Sequence, residues 1–216
     1  MALDRAKSNK DFMEDGGMFS FTKKQLQEFD LSKIKFFIEF WNKFYDDKKY
    51  NLDEYYQNLN IENGLSQLSD KNIINLLKWK DKKHFSDEKI SKVISKIQDI
   101  NDFRFGTISE DDFSKISFFK SGNGVWNVFI KHIAQPFNFP LYDQHVFRSY
   151  CYHKNVSQDK IKLEYNNYKK YFFDIYQKLY GNIKATDIQT LKNMKIIDNS
   201  LMAYGKFLKK YGVFTE

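Results

Sequence analysis

Apolar residues recur along this chain at the three-to-four-residue spacing of helices that face a core. Ile34, Phe37, Ile38, Trp41, Phe44 and Tyr45 fall on one helical face. Ile90, Val93, Ile94, Ile97 and Ile100 repeat the pattern behind Ser86, Asp87 and Glu88, a helix start with acids in its first turn. Ile161, Tyr165, Tyr168, Phe172, Ile175 and Leu179 form a longer stripe, opening near Ser157 as N-cap and closing at Gly181. Leu201, Tyr204, Leu208 and Tyr211 line a final helix. Shorter helices are predicted near 52–59, 70–79, 109–119, 125–135, 143–153 and 186–194. Period-two alternation is hard to find, so the predicted class is all-α. Residues 1–20 are polar, with Gly16 and Gly17, and read as a flexible tail. No Pro/Gly/Ser linker divides residues 21–216, which read as one helical domain. Helices from both chain ends can pack around a central block, which makes a two-lobed body possible.

Two stretches carry candidate chemistry. In the first, Ser109 opens a helix with Asp112 completing a capping-box variant. Gly122, Asn123 and Gly124 stop it, and a new helix starts near Val125. Glycine suits a turn that visits positive φ and lets another backbone come close. Amides at the start of the second helix can bind a phosphate, with Lys120 and Lys131 adding charge. Standing alone, the same turn reads first as an ordinary helix–helix connection. In the second stretch, Pro140 sets an extended approach and Asp143 falls where an N-cap belongs, ahead of a helix from Gln144 to Tyr152. A helix N-terminus favours the ionised carboxylate. That suits a positively charged transition state, although a capping Asp without chemistry has the same pattern.

Composition narrows the partners. Lys and Arg outnumber Asp and Glu to leave a formal charge of +7, which suits a polyanion without implying a fold. The single cysteine, Cys151, excludes a disulfide within the chain and a four-cysteine iron–sulfur cluster, and fits the reducing cytoplasm. It reads as a small buried hydrophobe. Cys151 and His153 lack a second pair at ligand spacing, so no zinc site is expected. No run has the length and apolarity of a membrane span, and the start, Met1 to Lys7, lacks the apolar core of an export signal.

Together the two stretches resemble the helix–hairpin–helix DNA glycosylase superfamily, which includes endonuclease III and the adenine and alkylated-base glycosylases. Ser121-Gly-Asn-Gly-Val-Trp126 is similar to the hairpin segment, with Ser121 and Asn123 at positions usually held by Pro and a hydrophobic residue. Phe139-Pro-Leu-Tyr-Asp143 resembles the segment carrying the essential Asp, and Asp143-Gln-His-Val-Phe-Arg148 the run that follows it in endonuclease III relatives. The clear match covers residues 109–152. The resemblance implies a two-lobed helical bundle with the hairpin at 109–135 and the catalytic-Asp helix at 143–153.

The implied activity is removal of a damaged or modified base from double-stranded DNA. Asp143 would be the catalytic carboxylate; Trp126, Tyr142 and His145 would face the base; Gly122, Asn123, Gly124, Lys120 and Arg148 would hold phosphate. Trp126 reads equally as core, and Arg148 as the partner of a surface acid. The Schiff-base lysine of bifunctional members is replaced by Trp126, 17 residues before Asp143 (143 − 126), which implies hydrolysis without strand cleavage. Trp79 or Lys80 would fill the vacated base stack, or else simply end a helix in a solvated basic run that includes Lys78, Lys82 and Lys83. The resemblance further implies a monovalent cation at the hairpin carbonyls of residues 119–124, no other cofactor, a monomer, and a cytoplasmic, nucleoid-associated setting of bacterial type. Alkylated and oxidised purines rank equally as substrates, with a modified phage base a third option. A helix–hairpin–helix DNA-binding protein without catalysis is the alternative.

Overall fold

A computed structural model describes residues 31–48, 50–61, 64–81, 86–116, 118–119, 124–158, 164–184 and 187–210. The proposed tail at 1–20 and the hairpin residues Lys120, Ser121, Gly122 and Asn123 lie outside the described residues, as do Lys82, Lys83, Ile161 and Tyr211. The fold is all-α. Among the described residues there are ten helices and no strand: α1 Leu31–Asn42, α2 Leu52–Leu59, α3 Asp70–Lys80, α4 Asp87–Ile94 and α5 Ile97–Arg104. There follow α6 Glu110–Lys115, α7 Gly124–Ala134, α8 Gln144–Lys154, α9 Tyr165–Tyr180 and α10 Ile188–Lys210. None of these helices is long and apolar enough to cross a membrane.

The local signals explain most helix ends. Ser109 Oγ accepts the Asp112 N–H at 3.1 Å and donates to Asp112 Oδ2 at 2.7 Å, which starts α6. Ser69 and Asn72 form a capping box at α3. Asn60 and Asn155 close α2 and α8 in the left-handed region (φ 53° and 56°), where a short polar side chain is tolerated. Four expectations need correction. The helix expected at 109–119 ends at Lys115, and the one expected from Ser157 starts at Tyr165 with Glu164 at its N-cap. The stripe from Ile90 to Ile100 is two helices, because the chain tightens at Ser95, whose hydroxyl turns back to the Lys92 carbonyl at 3.0 Å. Conversely, the helices expected at 186–194 and from Leu201 are one continuous α10. The intervening Lys195, Asp198, Asn199 and Ser200 are polar yet buried, so the apolar rhythm pauses while the helix continues.

Helices distant in sequence pack together. α10 lies against α1, α8 and α9, so elements near both ends of the described chain share a core. Ser200 Oγ donates to the Ile38 carbonyl at 2.7 Å, and Tyr204 stacks edge-on against Phe37 at 5.1 Å. On the other side α2 packs on α3, α3 on α4, and α5 on α6 and α7.

Arg104 joins several of these elements. Its guanidinium is buried and donates to the carbonyls of Ser66 (2.7 Å), Leu59 (2.5 Å), Asn60 (3.3 Å), Ile133 (2.8 Å) and Ala134 (3.2 Å). It therefore covers the carbonyl ends of α2 and α7 with one positive charge, where the helix dipoles favour it. Burial lowers its pKa to about 10, which leaves the charge intact at neutral pH. Arg104→Met leaves buried carbonyls without donors and is expected to destabilise the fold by about 3 kcal/mol or more. Lysine cannot reproduce the planar fork, so Arg104→Lys should restore less than half of that loss in a denaturant titration.

Candidate functional site

A cavity of about 290 Å³ opens where four helices and two loops meet. The C-terminal end of α3 contributes Trp79 and Lys80, followed by Asp81; the start of α7 contributes Val125 and Trp126. The segment entering α8 contributes Leu141, Tyr142, Asp143 and Gln144. α10 adds Lys195, Asp198 and Met202, and the loop after α1 adds Tyr45 and Tyr50. The volume is at the small end of ligand pockets, roughly 300–1,000 Å³, and suits one planar molecule.

Asp143 is placed by its backbone. The extended run before it is pinned on three sides. His132 Nδ1 donates to the Phe139 carbonyl at 2.6 Å, Tyr165 Oη to that of Pro140 at 3.4 Å, and Tyr168 Oη to that of Leu141 at 3.0 Å. With Nδ1 facing a carbonyl, the other ring nitrogen of His132 must accept, and the Tyr55 hydroxyl donates to it. Burial drives the His132 pKa down to about 3, so the ring is neutral, as this arrangement requires. Asp143 then caps α8: Oδ1 accepts the N–H groups of His145 at 2.6 Å and Val146 at 2.9 Å. Its Oδ2 has no hydrogen-bond partner among the described residues.

Two lysines share the cavity. Lys80 Nζ stands 4.8 Å from the Phe129 ring centre and 5.8 Å from that of Trp126. It makes no hydrogen bond or ion pair among the described residues. Burial lowers its pKa, while Asp143 and Asp198 pull in the other direction. Lys195 donates to Asp198 Oδ2 in an ion pair whose side chains are only 4% and 7% exposed. Burial raises the Asp198 pKa against the opposing pull of Lys195.

Several expectations change on the structure. Trp79 is 4% exposed, lines the cavity wall, and its indole N–H donates to the Asn51 carbonyl at 2.9 Å. Lys80 points into the same cavity and not outward from the helix end. His145 does not line the cavity, because its Nδ1 accepts from Arg148 Nη1 at 3.1 Å. Arg148 also donates to the Gly205 carbonyl at 3.1 Å and to Gln158 Oε1 at 3.2 Å, so it ties α8 to α10 and makes no ion pair with an acid among the described residues. Lys131 is paired with Glu110 at 2.9 Å. Tyr142 and Trp126 do line the cavity, and both are also packed: Tyr142 between Phe147, Tyr165 and Tyr168, Trp126 against Phe119 and Phe129. Gly124 opens α7, whereas Lys120, Gly122 and Asn123, and with them most of the expected cation site at 119–124, fall outside the described residues. Cys151 is buried. Among the described residues no group of His, Cys, Asp and Glu is arranged to hold a metal ion.

The sequence reasoning missed Tyr45, Tyr50, Lys195 and Asp198. The available signal was the Lys195/Asp198 spacing of three, which puts both side chains on one face of a helix that otherwise faces the core.

No family model, curated protein or solved structure matches the chain.

The spacing between α8 and α10 depends on Gly205. A Cβ there would lie 1.9 Å from the His145 carbonyl oxygen. Gly205→Ala must push α10 away from the N-terminal end of α8, where Asp143 sits. The gain in helix propensity of about 1 kcal/mol is smaller than the clash. The expected net loss is about 2 kcal/mol, seen as a melting temperature lowered by about 4–8 °C.

The buried histidines add a pH dependence. His132 and His153 both have pKa values lowered by burial from 6.5 to about 3. The unfolded chain therefore binds protons below about 6.5 that the folded chain does not accept until about 3, and stability falls as pH drops through that window. Each histidine contributes on the order of 1 kcal/mol per pH unit there. Denaturation curves between neutrality and pH 5 should show a shallower slope for His132→Gln than for the natural protein.

Proposed function

We propose that the protein is a monofunctional DNA glycosylase of helix–hairpin–helix type, which hydrolyses the N-glycosidic bond of a damaged or modified base in double-stranded DNA. The observation that carries this reading is the shared cavity, which Asp143 lines together with Val125 and Trp126 from the start of α7. The grouping of α1 with α8, α9 and α10, apart from the contacts among α2 to α7, supports a two-lobed body. The formal charge of +7 supports a polyanionic partner. A cytoplasmic monomer follows from the same reading.

In this mechanism the target nucleotide leaves the stack, since its glycosidic bond is shielded there. The base enters between Trp79, Trp126 and Tyr142, and the cavity volume accommodates one base and not a pair. As the bond to the base breaks, positive charge develops on the sugar. Asp143 is the group that meets it. Its Oδ1 is held by two amides, which fixes the carboxylate and leaves Oδ2 for the sugar or the attacking water.

One observation favours a second course. Lys80 brings an amine into the cavity, and burial makes it easier to deprotonate. A neutral Lys80 would displace the base from the sugar carbon in place of water; the ring C–O bond would then break, its oxygen taking the amine proton, to leave an imine. Borohydride added during turnover is expected to trap no protein–DNA adduct. An adduct that disappears in Lys80→Gln would replace the hydrolytic course with the amine course.

Duplexes carrying single altered bases should become alkali-labile after incubation with the protein. Asp143→Asn should bind the same duplexes and lose base release by about 10²-fold or more. Undiminished release would remove Asp143 from the chemistry. Duplex binding with no release from any substrate would leave a DNA-binding protein without catalysis.

A further inference from the structure

Three aromatic rings that line the cavity, Tyr45, Trp79 and Trp126, already face a lysine that lines it too. Lys80 Nζ covers Phe129 and Trp126 at 4.8 and 5.8 Å. Lys195 Nζ stands 5.1 Å from the Tyr45 ring centre and 5.4 Å from that of Trp79. A cationic ligand stacked on Tyr45, Trp79 or Trp126 would meet a like charge on that face, although the lining as a whole holds three acids and two lysines.

The polar groups point the same way. A buried ion pair repays its desolvation only when its remaining donors and acceptors are satisfied. Lys195 gives one proton to Asp198 Oδ2, and Asp198 Oδ1 takes no hydrogen bond among the described residues. Lys80 has no acceptor at all there. The cavity therefore offers unspent ammonium donors beside an unspent Asp198 oxygen, with Asp143 Oδ2 left for the sugar. The complementary ligand edge is a carbonyl oxygen next to an N–H.

We infer that Lys80 and the Lys195–Asp198 pair set the specificity of this cavity, selecting a neutral oxo-base with adjacent C=O and N–H groups and rejecting cationic, ring-alkylated purines. This rests on the base-excision reading above for its biological setting, and on the cavity alone for its chemistry. The ammonium groups would hold carbonyl oxygens and Asp198 would take the neighbouring N–H. An oxidised purine, with its added carbonyl and N–H, has this edge and carries no charge.

Binding of free nucleosides tests this without any DNA or turnover. Trp79 and Trp126 line the cavity and report on it by fluorescence, while Trp41 packs on Tyr204 and Phe207 elsewhere. The natural protein is titrated with 8-oxoguanosine and with 7-methylguanosine in its cationic form. 8-Oxoguanosine should quench at a concentration about tenfold lower or more. The double variant Lys195→Met/Asp198→Leu removes both charges together, so no lone buried charge remains to unfold it. With its melting curve verified, it should lose most of that preference, and Lys80→Gln should lose part of it. Equal quenching, a preference for the cation, no quenching by either nucleoside, or an unchanged preference in a folded double variant would overturn the inference. Failure of the excision reading registers separately, as the lack of alkali-labile sites in every duplex, and leaves the titration result standing.

Discussion

α8 and α10 cross so closely at Gly205 that one added methyl would collide with the His145 carbonyl. The charged side of the cavity formed by Asp143, Lys195 and Asp198 depends on that crossing. α8 carries Asp143 at its N-cap, and α10 carries Lys195, Asp198 and Met202. Arg148 and Ser149 fasten the two helices at the same level, donating to the carbonyls of Gly205 (3.1 Å) and Leu201 (2.5 Å). With interhelical distance set by backbone contact, the carboxylate at one helix end faces the ion pair on the other across a space of fixed width. Side-chain packing alone would leave that width soft, because long side chains can adjust and a carbonyl against a Cα cannot.

The rest of the fold supplies the walls of that space. His132, Tyr165 and Tyr168 pin three successive carbonyls of the run from Phe139 to Leu141, which aims Asp143 inward. Arg104 draws the end of α7 toward the end of α2, and the start of α7 brings Val125 and Trp126 to the cavity edge. The result is a small chamber rich in aromatic surface in which five charged side chains share one enclosure: Lys80, Asp81, Asp143, Lys195 and Asp198. Of these five, Lys195 and Asp198 are buried, an arrangement that is costly for stability alone and that marks a candidate binding site.

How much of this was legible beforehand depended on the range of the interaction. Signals acting over three or four residues were readable. Ser109 and Asp143 are N-caps at their expected places, and the apolar spacing identified an all-helical chain. The break at Ser95 was hidden, because the isoleucine stripe runs across it and only a hydroxyl-to-backbone bond marks the turn. α10 was hidden for the opposite reason. Lys195, Asp198, Asn199 and Ser200 look like a polar surface interval, yet they are buried against α1, α8 and the cavity. A helix that buries polar groups for a site has no amphipathic signature at that point. Trp79 and Lys80 were placed on an exposed helix end, since nothing local indicates that α10 and the loop after α1 close over them. Tyr45 and Tyr50 reach the cavity only through tertiary packing.

The central claim is that the chamber beside Asp143 receives a nucleotide extruded from a duplex. A crystal structure of Asp143→Asn bound to a duplex with one oxidised purine tests it most directly. The altered base should lie inside the chamber, its sugar carbon facing residue 143, with the Lys195–Asp198 pair on the base edge. A fully stacked duplex bound on another face, with the chamber unvisited, would contradict it.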